Sequence, residues 1–336
     1  MLKCLSDYKL RWLAAALLST ALSACAGLDT RLPDFEASDL TTETERQETE
    51  ALNELEQNSR ILLNVGWPVL TANADLCPKT RPSIGVKTHK LRSYSKRIRG
   101  GARRVLGADD QPRIFHIADG SPAALAGFKR GDIILNDAGE PAKLTGESWA
   151  KSLSDNLVSV KRGGKIISLT VAPVLACDYN LRLSQSTAIN AYADGRNITV
   201  TTGMMGFTQS DAELAMIVGH ELGHNTMGHV PKAIFNYVVS LGGTRYTRPF
   251  ESEADYVGLY YLARAGYSPQ GVEDFWKRLS TVAPKSIHLA KTHPTYPERY
   301  LRLRATRNEI LAKQKAGQAL IPNFKTKAAI EAEKSD

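Results

Sequence analysis

Five consecutive residues in the second half of the chain, His220-Glu221-Leu222-Gly223-His224, put two imidazoles and a carboxylate at a spacing that can do chemistry. On a helix, positions four apart leave the same face, so both imidazoles can hold one divalent ion while Glu221 points beside it, towards a water whose proton it could take. That arrangement requires a helix, and the preceding residues supply one. Ser210 and Glu213 have capping-box spacing, and Leu214, Ile217, Val218 and Leu222 recur at helical intervals. Gly219 and Gly223 permit the close approach of a neighbour.

A catalytic ion needs a third protein ligand and an open position. The metzincin pattern would place glycine at 227 and histidine at 230, where the chain has Met227 and Val230, and His229 is one residue out of register. Glu251 heads the run Glu251-Ser-Glu-Ala-Asp255, in which Glu251 and Asp255 share a helix face and Glu253 points away. Glu251 can ligate while Asp255 accepts a hydrogen bond from a ligand imidazole. An acidic helix start favoured by the helix dipole accounts for Glu251 and Glu253, but not for Asp255 one turn further in. The helix carrying this run is expected from about Pro249 to Ala265, stopped by Gly266, with Ser268-Pro269 opening the next. The strand Asn197 to Thr202 precedes these helices, and its stretch from Ile198 to Thr202 is expected to be an edge that pairs with an extended polypeptide.

On these residues the second half, roughly Leu181 to Pro322, resembles the gluzincin family of the CAAX prenyl protease and HtpX, particularly its soluble periplasmic BepA-like members. The resemblance is carried by Gly219-His-Glu-Leu-Gly-His224, Glu251-Ser-Glu-Ala-Asp-Tyr256 and Thr292-His-Pro-Thr295. It implies one zinc ion per chain on His220, His224 and Glu251, with Glu221 as general base. It further implies that His293 is a removable fourth ligand or an oxyanion donor; a plain structural histidine is the other reading there, and the preferred one for His288. Arg299 could share the oxyanion role. No long hydrophobic spans flank the motif, unlike the integral-membrane members, so soluble or misfolded envelope proteins are implied as substrates rather than prenylated ones.

Residues 78–176 change character to short β-branched runs broken by glycine, such as Arg113 to Ile117, Asp132 to Leu135 and Lys165 to Val171. The stretch Asp119-Gly-Ser-Pro-Ala-Ala-Leu-Ala-Gly-Phe-Lys-Arg-Gly-Asp-Ile-Ile-Leu135 is similar to PDZ domains of bacterial periplasmic proteases. Ser121 can cap a short helix there, Pro122 suits its first position, and Gly127 can end it. The resemblance implies that Ser83-Ile84-Gly85-Val86 is the loop whose amides catch a peptide C-terminus, a plain strand start being the alternative. His89 and His116 lack partners at ligand spacing and read as structural or surface residues.

Ahead of these domains, Lys3, Lys9 and Arg11 precede a short apolar stretch from Trp12 to Leu22, the pattern of an export signal and too short to span a bilayer comfortably. Leu22-Ser-Ala-Cys25 resembles a lipobox, which implies a lipid on Cys25; ordinary cleavage after Ala26 is the alternative. Removing residues 1–24 leaves about +6 of the formal +8, much of it between Lys87 and Arg104, where there is no acid. That run reads as a solvated face or as a contact for anionic lipid or lipopolysaccharide, and no recognition motif points to nucleic acid. Cys77 and Cys177 remain for a disulfide. Leu52, Leu55, Leu62 and Val65 mark one stripe of a helix over residues 44–65, with Pro68 in its end region.

The expected organisation is a signal peptide (1–24), a tether (25–43), an N-terminal peptidase helix (44–76), a PDZ domain (77–177), a zinc peptidase domain (178–322) and a flexible tail (323–336). The fold class is α+β, a mainly helical zincin-type domain with a small edge sheet and an inserted β-rich PDZ domain. The expected function is a zinc-dependent endopeptidase acting on polypeptides, lipid-anchored in the periplasm at the outer membrane. The alternative is a lipid-tethered PDZ scaffold or chaperone whose zinc site is gated or non-catalytic.

Overall fold

A computed structural model describes residues 32–143, 155–232, 248–282, 284 and 297–323. The chain separates after Gln47 into two units. In the first unit the backbone is helical from Ala37, within the segment expected to be a tether. The helix has no apolar stripe there. It is supported instead by local polar pairs: the Thr41, Thr42 and Thr44 hydroxyls donate to carbonyls one turn back, and Glu43 accepts from Arg46 and Gln47.

The second unit begins inside this helix, α1 (Ala37–Ala72). Its buried stripe includes Leu52, Leu62 and Val65. Pro68, expected to mark the end, lies inside the helix. Proline removes one backbone bond, but Val69 and Leu70 beyond it are buried in the core, and that packing offsets the loss.

The β-rich segment follows in chain order as β1 (Thr80–Ser83), β2 (Val86–His89), α2 (Arg99–Leu106), β3 (Arg113–Ile117), α3 (Pro122–Leu125), β4 (Ile133–Ile134), β5 (Leu157–Arg162), β6 (Lys165–Thr170) and β7 (Val174–Cys177). Its strands form the antiparallel pairs β2-β3 and β1-β7 and the sheet β4-β5-β6. Val158 and Val160 alternate inward along β5 and meet Ile84, Ile114, Ala123, Phe128 and Ile134 in a separate small core. The turn into α3 is built locally: Ser121 Oγ accepts from the Ala124 amide at 3.3 Å, Pro122 opens the helix, and Gly127 takes φ +80° just beyond it. The register Thr80↔Cys177 brings the two ends of the segment together, and Cys77 and Cys177 are disulfide-bonded with Cα atoms 5.6 Å apart.

The remainder comprises β8 (Asn180–Ser184), β9 (Ala191–Ala193), β10 (Asn197–Thr201), α4 (Thr202–Phe207), α5 (Asp211–Thr226), α6 (Arg248–Arg264), α7 (Glu273–Val282) and α8 (Pro297–Lys315). The architecture is α+β. β10, expected to be a free edge, is the middle strand of a three-stranded sheet in the order β8-β10-β9, parallel to β8 and antiparallel to β9. All five of its residues are buried, with Ile198 and Val200 on the face that joins the main core and Asn197, Thr199 and Thr201 on the other. Ser268-Pro269 does not open a helix. Ser268 Oγ accepts from the Gln270 amide in a tight turn, and α7 begins at Glu273. The main core joins Leu62 and Val69 of α1 to Ile198 and Val200 of β10, Leu214, Ile217 and Leu222 of α5, and Tyr260, Tyr261 and Leu262 of α6. Among the described residues no helix is long and apolar enough to cross a membrane.

Candidate metal centre

The site is built on two helices that touch backbone to backbone. α5 is capped by Ser210, whose Oγ accepts from the Glu213 amide at 3.3 Å; Glu213 in turn accepts from the Gln209 amide at 2.8 Å and pairs with Arg278 at 2.6 Å. From Glu213 to Thr226 every residue of α5 is buried, so it is a central helix rather than an amphipathic surface one. Small residues let α6 approach it. A β-carbon at Gly219 would lie 2.6 Å from the Gly258 carbonyl oxygen, and one at Gly258 would lie 2.7 Å from the His220 amide nitrogen. One turn along, a β-carbon at Gly223 would lie 3.1 Å from the Ala254 carbonyl oxygen. Glu251, in the first turn of α6, is thereby carried to the imidazoles of α5.

The Nε2 atoms of His220 and His224 are 3.1 Å apart, and the Glu251 carboxylate lies 3.5 Å from the first and 3.3 Å from the second. One donor atom from each residue falls within 4.8 Å of the others, so this buried group could hold a metal ion. Glu221 sits between the two histidines on α5 and is itself buried.

Each imidazole is held from behind. His220 Nδ1 meets Asp255 Oδ1 at 2.9 Å. Asp255 accepts from Arg299 through both Nε and Nη2, and Arg299 Nη1 lies 3.4 Å from Glu251 Oε2. The guanidinium is 1% exposed, with its central carbon 3.6 Å from the centroid of the Trp276 ring, so cation–π contact replaces part of its lost hydration. His224 Nδ1 meets His229 Nδ1 at 3.0 Å, and His229 Nε2 meets Glu253 Oε2 at 2.7 Å.

The imidazoles of His220 and His224 are pushed in opposite directions. Burial opposes the charged form of His220, but the Asp255 and Glu251 carboxylates outweigh it and raise its pKa to about 9. For His224 burial wins over Glu251 and the pKa falls. Burial would raise Asp255, yet Arg299 and His220 hold it below the usual carboxylate range.

Of the residues singled out by sequence, the structure brings His220, His224, Glu251 and Asp255 together with Glu221 beside them. His293, His288 and Cys25 lie outside the described residues. Ser83 ends β1 and Val86 starts β2; between them Ile84 is buried and Gly85 takes φ +79°. The Ile84 and Gly85 carbonyls accept the Ala123 and Ala118 amides, and Trp67 Nε1 donates to Ser83 Oγ at 3.1 Å. His89 and His116 are buried in the β-rich segment, His89 against Tyr94 at 2.8 Å. The basic run is mixed: Arg92, Lys96, Arg97 and Arg103 are exposed, whereas Lys87 is half-buried and donates to the Leu181 carbonyl at 3.5 Å. Arg299 lies on the two carboxylates rather than on the surface. Sequence reasoning misses His229, Glu253 and Trp276; Glu253 points away from Glu251 and Asp255 on its helix, and it is there that it meets His229. The available signal was the place of Glu253, two positions from each of two acidic residues already in use, Glu251 and Asp255.

Two overlapping segments of the chain, 168–244 and 231–307, match the sequence model of Peptidase family M48. Mitochondrial metalloendopeptidase OMA1 of Arabidopsis thaliana is 30% identical over 135 residues, covering 33% of this chain and 28% of the relative. The beta-barrel assembly-enhancing protease of Escherichia coli K12 is 26% identical over 165 residues, covering 39% and 34%. That of Yersinia pestis is 25% identical over 154 residues, covering 34% and 32%. The chain thus spans about a third of the length of these curated relatives. The family match falls on the segment that carries the metal centre, and together with the relatives it supports an M48-type metalloprotease.

Proposed function

We propose that this chain is a zinc-dependent endopeptidase of the bacterial cell envelope. The observation that carries the reading is the meeting of His220, His224 and Glu251 within 4.8 Å, with Glu221 on the same helix as the two imidazoles. Two imidazoles and one carboxylate suit zinc, whereas magnesium and calcium take shells of oxygen. Three protein donors also leave the open position that a catalytic site requires. Zinc held there supplies Lewis acidity to a carbonyl and makes water acidic near neutral pH.

The remaining work belongs to the chain. Glu221 accepts the proton of the attacking water and passes it to the departing amine. Asp255 holds the His220 proton on Nδ1 and so keeps the Nε2 lone pair towards the ion, while Arg299 fixes Asp255 and the rear of Glu251. β9 takes the aligning role first expected of β10. It is an edge strand packed against α5, and its outer edge carries no partner among the described residues. A polypeptide added there as a further strand would be read through its backbone, which makes cleavage tolerant of sequence.

The remaining parts of the proposal concern targeting. Residues 77–177 form a PDZ-like module that selects substrates, with Ser83 to Val86 near the peptide terminus; the Ser121-Pro122 turn and the positive φ of Gly85 support it. A lipid on Cys25 places the protein in the periplasm at the outer membrane, and the exposed Arg92, Lys96, Arg97 and Arg103 face anionic lipid. Misfolded envelope proteins are the substrates, in keeping with relatives named for beta-barrel assembly.

The test is digestion of an unfolded protein such as casein by the mature chain and by Glu221→Gln. The variant keeps its zinc and loses roughly 10²–10⁴-fold in turnover, the usual worth of a general base. Undiminished turnover in the variant would remove Glu221 from the mechanism. Digestion that survives a zinc chelator would remove the metal.

A further inference from the structure

We infer that His229 and Glu253 are positioning residues for the metal ion, a one-way hydrogen-bond chain that fixes the tautomer of His224. The inference rests on the proposed metal site. To ligate, His224 must turn the lone pair of Nε2 towards the point shared with His220 and Glu251, which lie 3.1 and 3.3 Å from that atom. Its proton must then be on Nδ1. The atom facing Nδ1, at 3.0 Å, is another ring nitrogen, His229 Nδ1, and two such nitrogens bond only when one carries a proton and the other a lone pair. His229 Nδ1 is therefore the acceptor, and its ring proton sits on Nε2. That proton points at Glu253 Oε2, 2.7 Å away, and a carboxylate can only accept it. Every proton in the chain has one place.

The ring that transmits this order is fixed. His229 is 2% exposed and stacks on Phe250 with centroids 4.6 Å apart and an interplanar angle of 17°. The Glu253 side chain, 36% exposed, closes the chain at the surface. Glu251, Glu253 and Asp255 thus divide the labour on one helix: ligand, support of His224 through His229, and direct support of His220. Removing such supports from a metal-bound histidine weakens metal affinity by about 10–100-fold.

The experiment measures zinc affinity of the mature chain by competition with a chromophoric chelator, and the visible absorption of the cobalt-substituted protein. His229→Phe keeps the ring and the stack on Phe250 but has no acceptor; His229→Gln keeps an acceptor and loses the ring. The chain predicts that Phe binds zinc about 10–100-fold more weakly with an altered cobalt spectrum, while Gln stays within a few-fold of the parent. A purely packing role predicts the reverse order, and that result overturns the inference. If His229→Phe does not fold, Glu253→Ala decides at a partly exposed position: several-fold weaker zinc supports the chain, unchanged affinity refutes it. A parent protein that takes up no zinc refutes the metal site and the chain with it, whereas a zinc-binding parent matched by His229→Phe refutes the chain alone.

Discussion

His220 of the metal centre and the two histidines of the β-rich segment are all buried, and their fates are opposite. His220 is raised to about 9 although burial opposes its charge, because the Asp255 and Glu251 carboxylates face it. His116 is lowered to about 3 by burial first, then by Lys87 and Arg130; His89 is lowered to about 4 by burial, then by Arg130. All are less than 9% exposed, so depth does not distinguish them. The balance of neighbouring charge does: Asp255 and Glu251 together outweigh burial at His220, Glu251 does not outweigh it at His224, and at His89 and His116 nearby cations add to it. An imidazole between two carboxylates is a basic group, and one beside cations is a neutral piece of core that happens to contain nitrogen.

The contrast breaks most sharply at Arg299, the cation that holds the acidic side of the metal centre together. Arg299→Met takes the guanidinium away from the buried Asp255 and Glu251 and is expected to destabilise the fold by about 3–5 kcal/mol, seen as a lower urea midpoint. A midpoint equal to the parent's would mean that the carboxylates do not depend on it. Backbone contact is the next lever. Gly219→Ala sets a methyl against the Gly258 carbonyl, which no side-chain rotation can relieve, so α5 and α6 must separate. A loss of about 1–3 kcal/mol together with weaker zinc binding is expected; retention of full zinc affinity would show that the close approach is not what places Glu251.

The smallest effect sharpens the other half of the comparison. His89 and His116 titrate lower in the folded chain than the ordinary 6.5 of an unfolded one, so below that pH the unfolded chain binds more protons. Their contribution is intact above pH 6.5 and is lost as pH falls through 6.5 towards 4 and 3. Urea midpoints between pH 7 and 4 should therefore decline, and less steeply in His89→Gln and His116→Gln. Identical slopes in parent and variants would show that these rings do not couple to folding.

Much of the metal centre was legible because its information is local. The spacing of His220 and His224, the Ser210 cap and the run from Glu251 to Asp255 each lie within a few turns of one helix, and helical geometry turns such spacing into direction. The α+β class and the Ser121-Pro122 turn were legible for the same reason. What stayed hidden depends on pairing across the chain. β10 reads as an edge because β9 is too short to show alternation, and nothing in residues 197–201 reports that β8 covers their other side. Pro68 reads as a stop, yet burial of Val69 and Leu70 carries α1 past it. Glu253 faces away from Glu251 on their own helix, and its bond to His229 depends on the turn after α5, which no spacing within α6 reports. Arg299 lies 44 positions from Asp255, and no spacing rule reaches that far.

The central claim is that two imidazoles from α5 and one carboxylate from α6 share a single ion. Metal content of the purified mature chain, compared with that of Glu251→Ala, tests it most directly. One zinc per parent chain and a near-complete loss in the variant, with the fold retained, is the result this account requires. A variant that keeps its zinc, or a parent that holds none, would contradict it.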